Sequence, residues 1–563
     1  VVAIARTPEE FIAACEAALL ASPEEQQKTI AGMRRVLAKT SWDATAEKMH
    51  QLLVTTPRRQ PEPGTEVLQP AAPDQPADNA VNRIRAAEAP RFAKTAIIGA
   101  GPTGLSAAYH LGHDAVLLDK NDMVGGWCRS IKDNGFTFDH AGHIMFSNDP
   151  YVLELYDILL GSNQHWQDRE AWVYSKGTYT RYPFQGALYG LPAEVIKECI
   201  MGAVEARYAS AAEKAVTGSA ADCCGDGGVT LPGTNVAAID RAKPANFEEF
   251  IHQVWGAGIA KHFAIPYNRK LWAVPLTEME TSWLGGRVPL PNLDEIVEGA
   301  LAPVAKPMGP NARFGYPLRG GFQALMSGFV PHIKGTIELN AEVTSVSPKT
   351  RTLTLADGRR FEYENLISTM PLPDLVKMIG DEAPQEVREA AAGLKHVSVR
   401  CVNLGVARPN ITDKHWIYYP EDSTIFHRIF VQGNASPECN APGGFGLTCE
   451  ITYSPEHKPL PLEGQALIDR CVRDCIATGL LREDDEIIAA NEIDMPYAYV
   501  VYDHARAKNV ETIKSWLAMY GVILAGRYSE WEYYNSDHAF LAGKKAAEAV
   551  KWVEQPKSAN AAE

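Results

Sequence analysis

Residues 95–119 constrain the fold more than any other stretch of the chain. The apolar run Thr95-Ala-Ile-Ile98 leads into Gly99-Ala-Gly101-Pro-Thr-Gly104. A helical segment follows from Leu105 to Leu111, and a second apolar run, Ala115-Val-Leu-Leu118, ends on Asp119. Strand, glycine turn, helix, strand and acid in that order make the βαβ unit that cradles a dinucleotide. Gly99 permits the tight turn. Gly101 lets the backbone, with Thr103 beside it, approach a pyrophosphate at the helix N-terminus. Gly104 lets helix and strand pack closely. Asp119 stands where a carboxylate accepts hydrogen bonds from ribose hydroxyls. Such a unit implies a parallel sheet carrying helices, an α/β fold.

A second glycine element follows directly, Gly125-Gly126-Trp-Cys-Arg-Ser130. A double glycine just after the acid resembles the second element of FAD enzymes of the amine-oxidase and mutase type, and it points to FAD rather than NAD. Much later, Gly526-Arg527 opens a run through Asn535 and Asp537 to Phe540, and a helix expected over about 538–553 completes the same domain. Residues 351–374 add strands around an Asp-Gly hairpin. The flavin domain is therefore expected to be discontinuous.

With 563 residues, the chain is too long for one core, so two to four units are expected. A net charge of -15 argues against nucleic acid and anionic membrane as partners, and an anionic substrate then needs a local basic pocket. No apolar run approaches bilayer length. The ten cysteines are scattered, with a vicinal pair at Cys223-Cys224 and Cys471/Cys475 spaced as one helical turn. Without CxxC pairs they suggest no metal site, and they fit reduced thiols in the cytoplasm. The first twenty residues do not read as a signal peptide. The chain starts at Val1 rather than Met, which reads as a piece of a longer polypeptide.

Residues 1–56 are expected to be a helical segment, opened twice by capping boxes at Thr7 and Ser22. Residues 57–92, with seven prolines, read as a linker. The flavin domain is expected in three parts: 93–180, a share of 306–495, and 496–553 with the C-terminal helix. A mainly helical substrate domain is expected over 181–305, with an insertion at 209–245. A sheet domain takes the rest of 306–495, and 554–563 is a tail.

From His140 onward the chain carries HAGHIMFS (140–147), RYPFQ (181–185), IPYNRKLWAVP (265–275), WLGGRVPLPN (283–292), GPNARFGYP (309–317), WIYYPED (416–422), FHRIF (426–430) and GRYSEWEYYN (526–535). In these motifs and their order it resembles UDP-galactopyranose mutase, nearest its eukaryotic-type members. Ala141 departs from the family, which usually has glycine there, and the 209–245 insertion is unusual. The segment FIAACEAALL…SWDATAEKMHQLL resembles the C-terminal tail helices of retaining glycosyltransferases, which implies a fused or associated glycosyltransferase.

The mutase resemblance implies a Rossmann-like FAD domain, a helical substrate domain and an antiparallel sheet domain. It also implies interconversion of UDP-galactopyranose and UDP-galactofuranose, in which N5 of reduced FAD attacks the anomeric carbon and UDP departs. Arg428 and Arg527 would clamp the diphosphate, with Tyr418, Tyr497 and Tyr533 beside them. Phe184 and Gln185 would form the uracil pocket, and Tyr182 would be a further substrate contact. Asn268, Trp272 and Asn311 would lie near the nucleotide or sugar. Gly142 and His143 would face the flavin, and Arg287 would approach that loop. Gly526, Asn535 and Asp537, with Ser130, would complete the cofactor contacts. NADPH or NADH would be the external reductant, sharing the substrate cleft because no second fingerprint is present. Three other readings remain open: an oxidase or dehydrogenase of the amine-oxidase superfamily, a mutase for another nucleotide sugar, and a non-catalytic nucleotide-binding subunit.

Overall fold

The computed structural model describes residues 90–217, 243–285, 290, 292–304 and 312–554. The expected helical segment 1–56, nearly all of the linker 57–92 and most of the insertion 209–245 lie outside these residues, as do Arg287 and Asn311.

The first sheet grows from the strand Arg91–Ile98, whose buried second half is the apolar run read from the sequence. It pairs in parallel with Ala115–Leu118 on one side and Arg360–Ser368 on the other. Thr336–Glu338 extends one edge and Val522–Leu524 the other, both parallel. An antiparallel hairpin, Val343–Ser347 with Thr352–Leu355, adds to Arg360–Ser368. The order is that of a doubly wound α/β sheet whose strands come from three separate stretches of chain.

The helix Pro102–Leu111 starts at Gly101, has Pro102 in its first turn, and carries no side-chain cap. Its leading N–H groups are therefore free for an anion. The C-terminal helix Ser536–Glu554 lies against it, with Ser106 Oγ donating to the Phe540 carbonyl at 2.7 Å. That contact brings residues 526–535 across the glycine turn.

The second sheet has seven strands, in the order Ile487–Val500, His396–Val406, Phe445–Tyr453, Arg428–Phe430, Trp416–Tyr418, Ala171–Ser175 and Thr178–Arg181. The hairpin 171–181 corrects the expected boundary at 180. It joins this sheet through a parallel pairing of Trp416 with Ala171, not the flavin sheet. The strand Phe445–Tyr453 is central and buried along almost its whole length. Helices 193–217, Phe247–Ile259, Ile265–Trp272 and Leu293–Leu301 form the third part. No helix among the described residues is long and apolar enough to cross a membrane.

Candidate active site

One cavity of about 1010 Å³ runs from the glycine turns to the space between the helical part and the second sheet. At one end its wall is Gly99, Gly101, Thr103, Asp119 and Gly126. Gly125 donates its N–H to the Ala100 carbonyl at 2.8 Å, which seats the second glycine element on the first. A side chain on Gly101 would point into a space bounded at 3.9 Å by the Cα of Gly126. That bare, donor-rich cradle fits a dinucleotide pyrophosphate. Asp119 is tied into it. Its Oδ2 accepts the Ala100 N–H at 2.6 Å, and its Oδ1 accepts from the backbone and side chain of Asn121.

Several expected cofactor contacts stand behind the wall. Gly104 packs on the Gly99 carbonyl, the close helix–strand contact expected of it. Gly125 makes the turn at φ +122°, and Gly526 crowds the side chain of Thr103. Ser130 does not line the cavity: its Oγ donates to Asp139 at 2.6 Å and accepts the Gln323 N–H. Asp537 is buried, with its Oδ1 2.9 Å from His538 Nδ1, also off the cavity wall. Asn535 and Gly142 do line it.

The other end is aromatic and cationic. The helix Ile265–Trp272 turns Tyr267, Asn268, Leu271 and Trp272 toward the cavity, the spacing of one helical face. Tyr182 stacks on Tyr418 with centroids 4.7 Å apart, and Arg169 donates to the Tyr418 hydroxyl at 2.7 Å. Gln185 is on the wall, but Phe184 beside it is not. Phe184 is fully buried and stacks on Phe263 at 4.8 Å, which in turn stacks on Tyr267. Phe184, at the start of the short 3-10 turn Phe184–Gly186, therefore backs the wall rather than touching a ligand, held there by its stack on Phe263.

Arg428 and Arg527 both line the cavity, in different electrostatic settings. Arg428 gives Nε to Glu450 Oε2 at 2.7 Å and Nη2 to the same oxygen at 2.6 Å and to the Tyr499 hydroxyl at 3.0 Å. One edge of its fork is thus committed, leaving Nη1 for a ligand. Arg527 makes no salt bridge among the described residues. Its Nη1 and Nη2 donate to the carbonyls of Tyr534 and Ala498 at 2.8 Å, and Tyr499 and Tyr533 flank it. Three buried donors on this wall, Trp255 Nε1, Trp272 Nε1 and Arg527 Nε, have no hydrogen-bond partner.

Tyr497 lines the cavity, yet it does not sit beside the arginines. Its hydroxyl donates to Asp374 at 2.9 Å and its ring stacks on His396. The tyrosine between Arg428 and Arg527 is Tyr499, stacked on Tyr533 at 5.9 Å. Sequence reading also missed Glu450, Arg169 and Trp255. Glu450 had a signal, a single carboxylate inside the apolar strand FGLTCEITY. His143 stacks on Phe322 and its Nδ1 lies 2.9 Å from the Ala141 carbonyl. Burial, against a smaller opposing effect of that hydrogen bond, lowers its pKa to about 4, so it is neutral at neutral pH.

Residues 97–159 match the NAD(P)-binding Rossmann-like domain, and residues 292–551 match the flavin containing amine oxidoreductase model. Among solved structures, reduced UDP-galactopyranose mutase is similar at 29% identity, covering 82% of this chain and 96% of that one, with a TM-score of 0.72. Putrescine oxidase shares the fold at 17% identity and a TM-score of 0.55. A 4,4'-diapophytoene desaturase of Staphylococcus aureus is 37% identical over 78 residues, 13% of this chain and 15% of that protein.

Proposed function

We propose that this chain, which shares its fold with UDP-galactopyranose mutase and carries a flavin amine-oxidoreductase domain, is a flavin-dependent isomerase interconverting UDP-galactopyranose and UDP-galactofuranose. The carrying observation is the single cavity that joins the glycine cradle to a lobe holding Arg428 and Arg527. A nucleoside diphosphate sugar needs cations for its diphosphate and donors for its base and hydroxyls. In a chain of net charge -15 that lobe supplies them locally.

FAD, when bound in the cradle and reduced, supplies a nucleophile for the anomeric carbon. The remaining chemistry belongs to the chain. Arg527, with no carboxylate to offset it, carries the main electrostatic hold on the diphosphate, and Arg428 adds Nη1. A guanidinium holds phosphate oxygens without gaining or losing a proton, so it stabilises the charge that builds as the leaving group departs. Gln185 offers an amide to the uracil carbonyls. Asn268 offers a side-chain amide. Neutral His143 orients through its ring nitrogens rather than by charge. The aromatic wall of Tyr267, Trp272 and Trp283 excludes water from the sugar.

The 37% match to a desaturase covers only 78 residues, 13% of this chain, so it favours no desaturase chemistry. An anaerobic count decides between isomerase and oxidase. Protein reduced once with dithionite is mixed with UDP-galactofuranose, and UDP-galactopyranose is counted per flavin. Many products per reducing equivalent support the proposal. A ratio of one, or activity with oxidised flavin alone, overturns it.

A further inference from the structure

We infer that Glu450 is a positioning residue that makes the grip on the diphosphate and the seat of the His143 loop depend on each other. The inference rests on the FAD and UDP-sugar reading of the cavity. Glu450 is 1% exposed and still lies on the cavity wall. In the antiparallel pairing of Arg428–Phe430 with Phe445–Tyr453, Arg428 stands directly opposite Glu450, so the backbone register builds in their ion pair. The Oε2 atom takes both contacts from Arg428, at 2.7 and 2.6 Å. The Oε1 atom accepts the N–H of Gly142 at 3.3 Å.

Gly142 is held against the same two strands. A Cβ there would come within 2.9 Å of Phe430 Cγ and 3.3 Å of Glu450 Oε1. The loop that carries His143 is thus seated on Phe430 and Glu450, the immediate neighbours of the arginine that faces the ligand. His427 lies 3.9 Å from Oε2, but burial keeps its imidazole neutral. Among the described residues Arg428 is therefore the one charged partner of Glu450.

A carboxylate this buried depends on its partner for solvation, since little water reaches it. A diphosphate at Arg428 Nη1 competes for the same positive charge. As Arg428 shifts toward the ligand, Glu450 draws more of its stabilisation from the Gly142 N–H, and the loop tightens. If the loop instead moves when the cofactor changes redox state, Glu450 falls back on Arg428 and changes its readiness for a phosphate. Two sites that share one buried charge are linked, and the linkage is reciprocal. The redox state of the cofactor should therefore change UDP affinity, and UDP should change the flavin midpoint potential by the equivalent factor.

The test uses the full-length holoenzyme and UDP as the probe. UDP dissociation constants are measured for oxidised and anaerobically reduced protein, and midpoint potentials with and without UDP. Glu450→Gln keeps the shape and removes the charge. Glu450→Asp keeps the charge opposite Arg428 and withdraws it from Gly142. Wild type is expected to show a difference of about fivefold or more between redox states, the lower end of ordinary coupling. In both variants FAD and UDP still bind, and that difference collapses to less than about twofold, with the UDP-induced shift in potential lost in parallel. If Glu450→Gln does not fold, Glu450→Asp alone decides. A full wild-type difference retained in the folded variants overturns the inference, as does a wild type without any difference. Wild-type protein that binds neither FAD nor UDP would instead overturn the functional reading beneath it.

Discussion

Gly126 lies back to back with Gly101: a Cβ on Gly126 would come within 3.1 Å of the Gly101 Cα. Two glycine elements separated in sequence thus form one cradle, and at Gly126 there is little room for a side chain.

The two positions should respond differently to alanine. Gly101 has an ordinary φ of -74°, and a Cβ there meets Gly126 at 3.9 Å, a normal contact. Gly101→Ala should fold and melt like the apo wild type, yet lose most of its flavin, because the methyl occupies space the pyrophosphate needs. Gly126→Ala adds backbone strain at φ +56° and should lose both flavin and about 1–3 kcal/mol of stability. Flavin-to-protein absorbance ratios and thermal melts check both. Full flavin occupancy in Gly101→Ala would remove that residue from the cradle.

The two arginines should separate by stability. Arg428→Ala strands buried Glu450, and breaking a buried pair typically costs about 3–5 kcal/mol. Arg527→Ala strands no carboxylate and should lower the melting temperature less. Each should cut turnover by about 30-fold to several thousand-fold, the cost of a lost buried charge contact, while FAD stays bound. Equal melting temperatures for the two variants would contradict this electrostatic assignment.

Tyr499→Phe removes the hydroxyl that receives Arg428 Nη2 and should raise the KM for UDP-galactofuranose several-fold. Tyr497→Phe removes only the bond to Asp374 and should leave KM within about twofold, as expected for one neutral hydrogen bond away from the ligand. Steady-state kinetics of the pair tests the exchange of roles. A larger effect in Tyr497→Phe would restore the expectation drawn from sequence.

His143 and Asp139 act in opposite directions with pH. Burial lowers the pKa of His143 to about 4, so its contribution to stability is full above the unfolded value near 6.5 and fades as pH falls toward 4. Burial raises Asp139 to about 6, against opposing hydrogen bonds from Ser130, Tyr316, Phe322 and Gln432. The folded state then holds its proton more tightly, so this contribution is full below about 3.9 and is lost as pH rises through 6. Between pH 4 and 7 the melting temperature of Asp139→Asn should therefore gain on that of wild type. A constant gap between the two melting curves across that range would exclude Asp139 as the titrating group.

Much of the flavin domain was legible because its signals are local. A strand, a glycine turn, a helix and an acid occur within twenty-five residues, and backbone sterics allow them few other arrangements. The order of the motifs from His140 to Asn535 likewise indicated the aromatic and cationic lobe of the cavity. Local pattern also misplaced a few side chains. Phe184 and Gln185 are neighbours in YPFQ, and only packing against Phe263 turns one inward to the core and leaves the other on the wall.

Tyr497 and Tyr499 show the limit most clearly. With strand period two they would share a face, yet the boundary expected at 495/496 falls inside the long strand Ile487–Val500 that carries them both. The pairing with His396–Val406 shifts register between Val397 and Val399, opposite this pair, so the strand bulges there. A bulge re-aims a side chain at the cost of one ladder step. It sends Tyr497 to Asp374 and leaves Tyr499 between the arginines. The ion pair of Glu450 with Arg428 is decided the same way. The sequence supplied two opposite charges twenty-two residues apart, and the tertiary register set them face to face, because hydrogen bonding between strands, not spacing along the chain, chooses which residues meet.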